Sequence, residues 1–367
     1  MKKRFPSLLF MFYRRLILTL SSGHILGKGW LGNVLSWSFS LLVRLKEQFC
    51  YSSPRRVRAT VVSVGNIVLG GAGKTPTVLW LVEALQNRGY SCAVLSRGYK
   101  GMCSGKKTPT IVDANVHSAT YVGDEPLLMA EKLPPRSVWV HKDRRLSAVQ
   151  AAEFFDILLL DDGLQYRKLH KDVEIAVVNG QDPLGSSAFF PKGRLRDFPD
   201  RLRNVDAIVV NGSCNLEHRN LLKKSSSAKQ IFVEPRIASV VWIHKGEHVA
   251  HKKLQGFPAG VFCGLGFPQG FLNMLRNAGV KILGTYVLPD HVGITKKELY
   301  YFCRKIALCQ GQGVLCTEKD SVKLHNLFDE TDLLPIGKVC MNLQVEESQA
   351  SFLLDTIDQI HKNRGDE

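Results

Sequence analysis

Residues 70–75 read Gly-Gly-Ala-Gly-Lys-Thr and sit between an apolar, β-branched stretch and a segment of helical spacing. Glycines let a backbone curl until successive N–H groups point inward at phosphate oxygens. A helix opening at Lys74 adds the partial positive charge of its N-terminus. In such a loop Val68, Leu69, Gly70, Gly71, Ala72, Gly73, Lys74 and Thr75 line a nucleoside triphosphate. Lys74 bridges its β- and γ-phosphates, and the Thr75 hydroxyl ligates Mg²⁺. The pattern G-x-x-x-x-G-K-[ST] asks for glycine at position 68, where this chain has Val68. The preceding strand, the following helix and the intact Gly-Lys-Thr still carry the assignment.

A phosphate loop needs an acidic partner for magnesium at the end of a neighbouring strand. FDILLLDDGLQ (155–165) supplies Asp161 and Asp162 directly after an apolar run; a solvated Asp-Gly turn is the competing interpretation. Asp124 and Glu125 precede an apolar helical run in YVGDEPLLMA. An acid there either does acid–base work or caps the helix. His291, in VLPDHVGIT, taken alone suits a surface position. Arg194 and Arg196, in FFPKGRLRDF, either bind phosphate or form a solvated basic turn.

The elements that must position these groups alternate strand and helix from residue 59 onward. Residues 59–69 spell a buried strand, 74–88 a helix ended by Gly89, and 91–99 a second strand. Further strands are expected at 137–143, 156–162, 173–180 and 205–212, with a helix at about 144–155. Continuous apolar strands between helices predict an α/β fold with a mainly parallel sheet. A polar, serine-rich run near 213–230 marks a boundary at about 228, after which the alternation restarts at 260–266. The organisation expected is an N-terminal segment over 1–58, a phosphate-loop domain over 59–228 and a smaller α/β domain over 229–367.

The chain has 367 residues and a net charge of +16, with 45% apolar and 22% charged residues. That composition excludes wholesale disorder, collagen-like repeats and a polytopic membrane protein. Residues 1–58 hold eleven basic side chains against the single acid Glu47, so they supply +10 of the total. Leu, Phe and Trp, rather than polar residues, separate those charges, which favours an anionic membrane surface over nucleic acid. On a helix Trp30, Val34, Trp37, Leu41 and Leu45 share one face, while Asn33, Ser36, Ser40 and Arg44 share another. This describes a membrane-associated helix, lying on or crossing the bilayer; a cleaved signal peptide and a buried core helix are the competing interpretations. The nine cysteines are odd in number and without CxxC spacing, which argues for reduced, mostly buried thiols in a cytoplasmic setting.

Taken in order, the basic apolar N-terminus, SVGNIVLGGAGKTP, LSRGY, VGDEP, DDGLQ, VNGQDPLG, FPKGRLRD, FCGLGFP, LPDH and TEKDSVKL resemble the tetraacyldisaccharide 4′-kinases, the lipid A 4′-kinase family of Gram-negative envelope synthesis. The resemblance spans nearly the whole chain, and Val68 falls where that family also lacks glycine. It implies transfer of the γ-phosphate of ATP, with Mg²⁺, to the 4′-hydroxyl of tetraacyldisaccharide 1-phosphate, giving lipid IVA. It implies that Asp124 acts as general base paired with His291 across a closing cleft. Asp161 and Asp162 become the magnesium-side carboxylates and Arg194 a cation for phosphate charge. Tyr99, Glu125 and Gln165 fall in motifs that contact substrate. Val292 after Asp290-His291, and Tyr166 after DDGLQ, depart from the usual histidines. The implied setting is the cytoplasmic face of the inner membrane, with a lipid A precursor as partner, no nucleic acid and no obligate protein partner.

Two other functions compete with this one. A P-loop GTPase or metallochaperone-like switch reads guanine through [NT]-K-x-D; in GVLCTEKD (313–320) Lys319 stands one place too late, which favours ATP. A kinase of a soluble metabolite has no use for the apolar N-terminus.

Overall fold

The computed structural model describes residues 29–49, 53–243, 246–266, 268–289, 292–324 and 334–365. Helix α1 (Trp30–Phe49) comes first, then β1 (Thr60–Gly65), α2 (Lys74–Gln86), β2 (Cys92–Ser96) and β3 (Thr110–Ile111). A short helical turn, α3 (Ala119–Val122), leads into α4 (Asp124–Lys132), β4 (Val138–Val140), α5 (Arg144–Ala151) and β5 (Ile157–Asp161). β6 (Val173–Asn179), β7 (Ala207–Asn211), α6 (Leu216–Ser225), β8 (Lys229–Trp242) and β9 (Glu247–Ala250) follow. The C-terminal part runs β10 (Pro258–Cys263), α7 (Pro268–Asn277), β11 (Lys281–Val287), α8 (Lys296–Leu308), β12 (Gly313–Thr317), α9 (Glu318–Ser321), β13 (Ile336–Val345) and α10 (Glu347–Gly365).

The chain divides into two compact units, each assembled from separated segments. The first takes Met1–Lys74, Asp162–Phe232 and Glu347–Glu367. In it β6 pairs in parallel with both β1 and β7. Every β1 residue is buried, as a strand covered on both faces requires. Ile67, Val68, Leu164, Val178, Leu195 and Ile208 form its core. α10 is pinned to the start of β1: Arg364 donates to the Asp172 carboxylate at 2.5 Å and to the Ala59 carbonyl at 2.9 Å.

In the same unit α1 docks by the face that carries Ser36, Phe39 and Val43. Phe39 and Val43 are buried against Phe189, Phe190 and Phe198, worth roughly 1.5–3 kcal/mol for each side chain fully removed from water. The Ser36 hydroxyl donates to the Phe189 carbonyl at 2.7 Å and accepts from the Lys192 N–H at 3.1 Å. The opposite face is left in solvent: Trp30 is 76% exposed and Trp37 66%, with Val34, Leu41 and Leu45 also exposed. The helix therefore turns its greasier stripe outward. Among the described residues no helix is long and apolar enough to cross a membrane.

The second unit takes Thr75–Asp161 and Val233–Glu346. β2 pairs in parallel with β4 and β5, and β3 closes antiparallel on β4. The C-terminal strands run β11-β10-β12-β13, all parallel, with β8 antiparallel on β13. The fold is thus α/β with mainly parallel pairing, as the strand–helix alternation predicts. Two apolar runs flanking Pro235 read as separate strands in the sequence but form the single strand β8. Its pairing with β13 runs from Gly337 to Val345 and passes through Pro235, opposite Leu343, with one irregularity, at Cys340/Met341. β13 and α10 carry no comparable motif and were not anticipated. Every described cysteine is free.

Candidate functional site

β1 ends at Gly65, four residues earlier than its apolar run suggests. Ile67 and Val68 remain fully or almost fully buried, but as loop residues. Val68 bridges antiparallel to Leu195, and the Leu69 N–H donates to the Arg194 carbonyl at 2.7 Å. The valine at the glycine position thus serves the core through its side chain, while its backbone ties the phosphate loop to the FPKGRLRD segment.

The loop then curls through Gly70 and Gly73, both at positive φ. Gly73 has φ of +95°, and a Cβ there would lie 2.1 Å from the Asn211 amide nitrogen. Glycine is required at this position on both counts. Asn211, at the end of β7, donates to the Ala72 carbonyl at 3.1 Å and so braces the loop from below.

Around Lys74 the first unit gathers a compact polar cluster. Lys74 Nζ lies 3.4 Å from Asp162 Oδ1 and 3.3 Å from Asn66 Oδ1. Arg196 clasps both oxygens of Asp162, with Nη1 to Oδ2 at 2.9 Å. It also donates to the Asn66 carbonyl at 3.1 Å and to the Asn66 side-chain oxygen. Asp162 holds φ at +49° immediately after β5, a left-handed conformation of the kind that collects at functional sites. Asn66 is fully buried, and among the described residues its side-chain nitrogen has no partner. A buried amide donor left unmatched costs about 1–3 kcal/mol, so its persistence points to an acceptor that the polypeptide does not supply.

Of the two arginines of the basic turn, Arg196 reaches this cluster. Arg194 instead pairs with Asp182, its Nη2 2.6 Å from Oδ2. Burial pushes the Asp182 carboxyl up, but the Ser186 N–H and the Arg194 guanidinium outweigh it and hold the group below the usual carboxylate range. Gln165 turns inward, its amide donating at 2.9 Å both to the Asn66 carbonyl and to Asp197 Oδ2. It is thereby a brace for the cluster. Asn66 had a signal in the sequence, the Gly-Asn that precedes the loop, but its type alone did not separate it from a turn residue.

In the second unit Asp161 closes β5. Its carboxylate accepts from the Ser96 hydroxyl at 3.1 Å, and its carbonyl accepts from Arg144 at 2.7 Å. Arg144 is buried at the start of α5, behind the Asp143 cap. In the sequence it is one of two adjacent arginines, with nothing to show which turns inward. Tyr99 is partly exposed after β2, with Lys100 over its ring at 5.9 Å.

Asp124 and Glu125 form the first turn of α4, preceded by Gly123 at φ of +100°. Gly123 caps the helix without a side chain, so both acids face other partners. Asp124 Oδ2 lies 3.2 Å from Lys323 Nζ, and Glu125 Oε1 lies 3.5 Å from Lys319 Nζ. His291 lies outside the described residues. Among those described, no group of three or more His, Cys, Asp or Glu side chains is arranged to hold a metal ion.

A family model for tetraacyldisaccharide-1-P 4′-kinases matches residues 29–358. The chain is 67% identical to a tetraacyldisaccharide 4′-kinase of Chlamydia pneumoniae over 365 residues, covering 100% of both proteins. It is 52% identical to the protein of that name from Chlamydia trachomatis serovar D, over 96% of each chain. One from Actinobacillus pleuropneumoniae serotype 7 is 36% identical over 81% of this chain and 86% of the relative. Among solved structures, LpxK from Aquifex aeolicus in complex with ATP superposes with a TM-score of 0.67 at 25% identity, covering 89% of this chain and 97% of that one.

Proposed function

Because the chain belongs to the tetraacyldisaccharide-1-P 4′-kinase family, we propose that its glycine loop binds ATP with Mg²⁺ and that Asp124 activates the 4′-hydroxyl which receives the γ-phosphoryl group. The enzyme is an ATP-dependent 4′-kinase of lipid A biosynthesis. Its acceptor is the tetraacyldisaccharide 1-phosphate and its product lipid IVA. The GTPase-like switch and the soluble-metabolite kinase are not favoured.

The observation that carries the site assignment is the convergence of Lys74 and Arg196 on Asp162 beside the loop. Two cations resting on one carboxylate are poised to transfer to an incoming triphosphate, whose oxygens carry more charge. The unmatched Asn66 amide then gains an acceptor. Thr75, Asp161 and Asp162 would supply oxygen donors for Mg²⁺, a donor set of the hardness that ion prefers. When bound, the ion neutralises charge on the β- and γ-phosphate oxygens.

Phosphoryl transfer of this kind is mostly positioning and charge stabilisation. Lys74 and Arg196 hold the transferring group. The Asp124 carboxylate takes the 4′-hydroxyl proton as the O–Pγ bond forms, and ADP departs with the electrons of the broken bond. His291 is the proposed partner of Asp124. Tyr99 and Glu125 are proposed to contact the sugar, and Gln165 to act through Asn66. Arg194 is proposed to act from the rim, through its Asp182 pair.

An acylated acceptor stays in the membrane, and the outward apolar stripe of α1 supports docking at that surface. ATP puts the working face on the cytoplasmic side of the inner membrane. We propose 1–58 as the docking segment, with 59–228 and 229–367 as the nucleotide and second α/β domains along the sequence, a division that the compact units cross at Thr75, Asp162 and Glu347.

The test is incubation with labelled ATP and a panel of lipid A precursors. Only a monophosphorylated disaccharide should accept label. Lys74→Ala should abolish turnover, and Asp124→Ala should depress kcat far more than ATP affinity. An Asp124→Ala enzyme with unchanged kcat removes that carboxylate from the base role.

A further inference from the structure

The TEKDSVK segment (317–323) meets α4 with matched charges along its length. Glu318 pairs with Lys132 at 2.5 Å, Lys319 with Glu125 at 3.5 Å and Lys323 with Asp124 at 3.2 Å. A fourth pair, Lys338 of β13 with Glu131 at 3.4 Å, lies at the far end of the same helix.

The Lys323 contact differs from the others in its setting: Nζ lies between two carboxylates as a buried ion pair, without a well-aligned hydrogen bond among the described residues. The Thr317 hydroxyl caps α9 and donates to Asp320 Oδ2 at 2.6 Å. The same oxygen accepts the Gly264 N–H, just past β10, at 3.0 Å. Asp320 Oδ1 then lies 3.7 Å from Lys323 Nζ. The Lys323, Asp124 and Asp320 side chains are 11%, 17% and 3% exposed. An ammonium this far from water is tolerated only between opposite charges, and here they come from two fixed elements. An ion pair at one carboxylate oxygen biases the terminal torsion of Asp124 and with it the direction of the other oxygen.

We propose that Lys323, anchored through Asp320, is a positioning residue that fixes the rotamer of the Asp124 carboxylate for proton abstraction from the acceptor hydroxyl. This rests on the reading of Asp124 as the base. In this role Lys323 acts through Asp124 and touches neither nucleotide nor acceptor. The charged pairs around it orient α4, and among the described pairs Lys323 is the one that meets the reacting side chain.

The experiment compares Lys323→Met, Lys323→Arg and Lys338→Met in the full-length enzyme, with kcat, KM for ATP and Tm measured for each. A positioned general base contributes about 10²–10⁴ in rate, and loss of its aim should forfeit about 10–100-fold of kcat in Lys323→Met. KM for ATP should stay within about twofold, since no nucleotide contact is lost. Lys323→Arg, which keeps the cation, should recover most of that loss. Lys338→Met removes a tether of the same helix without touching Asp124, so it should lower Tm while leaving kcat within about threefold. The inference is overturned by a Lys323→Met enzyme with kcat within twofold of the parent, or by Lys338→Met losing as much kcat as Lys323→Met. Asp124→Ala run alongside separates the two levels. If that variant stays active, the base assignment fails. If it is inactive while Lys323→Met is unimpaired, only the positioning role fails.

Discussion

Arg196 and Arg194 stand two residues apart in one basic turn, and the structure gives them different work. Arg196 spans Asp162 and Asn66 beside Lys74, whereas Arg194 is spent on Asp182. Arg196→Ala removes two bonds to a carboxylate and at least two to Asn66. A hydrogen bond to a charged group contributes about 1.5–3 kcal/mol. Asp162 is 38% exposed on its side chain, so solvent screening reduces the ground-state loss to roughly 1–2 kcal/mol. The loss in the transition state is larger, because the missing cation faces charge that develops only there. Removing one such preorganised donor costs about 2.7–4 kcal/mol, or 10²–10³ in kcat. Steady-state transfer from labelled ATP should therefore fall by about that factor in Arg196→Ala and by no more than about threefold in Arg194→Ala. Arg194→Ala should instead appear in acid unfolding. The Asp182 carboxyl is pushed up by burial but held net below its ordinary value by the Ser186 N–H and Arg194. Its stabilisation is present above the unfolded carboxylate value and is lost as pH falls through the depressed folded one. Without Arg194 that loss begins at higher pH, so the acid-unfolding midpoint should rise. Equal kcat losses in the two variants, or an Arg196→Ala enzyme retaining a third of parental kcat, would refute the division of labour.

Gly73→Ala combines a positive φ with a Cβ 2.1 Å from Asn211; ATP affinity measured by calorimetry should drop at least tenfold, and relief by the added change Asn211→Ala should be only partial because the backbone conformation remains wrong for alanine. Replacing Trp30 and Trp37 together with glutamate removes two exposed rings from the outward stripe of α1. At about 1.5 kcal/mol or more per buried side chain, partition onto anionic vesicles should fall about 100-fold with little change in Tm, and undiminished flotation would end the docking assignment. Thiol alkylation followed by mass spectrometry at pH 8 should find Cys309 first among the described cysteines, since it is exposed. Burial pushes Cys92 up to about 12 and Cys263, Cys303 and Cys340 to about 11, leaving only about one thiolate in a thousand or fewer at that pH.

The sequence by itself determined the strands around the glycine loop in outline, the loop itself, the α/β class and the family, though not β13 or the continuity of β8, because each of the former is written in local chemistry. Glycine spacing specifies a phosphate loop wherever it follows a buried strand, and β-branched runs between helices specify parallel pairing. It also assigned the apolar stripe of α1, since helical periodicity needs no partner to be seen. What it could not decide was which of several equivalent side chains turns inward. Arg194 and Arg196 share a turn, Arg144 and Arg145 share a helix start, and Lys319 and Lys323 share a polar run; only packing from residues far away in the chain separates the members of each pair. Asn66 looks like a turn residue until Lys74, Gln165 and Arg196 gather around it from across the unit. The outward direction of the α1 stripe was likewise decided by Phe189, Phe190 and Phe198, which claim the opposite face. Side-chain identity is encoded locally, but the charge or ring that each side chain meets is set by contacts that exist only once the chain has folded, from Asp182, 12 residues away, for Arg194 to Asn66, 130 residues away, for Arg196.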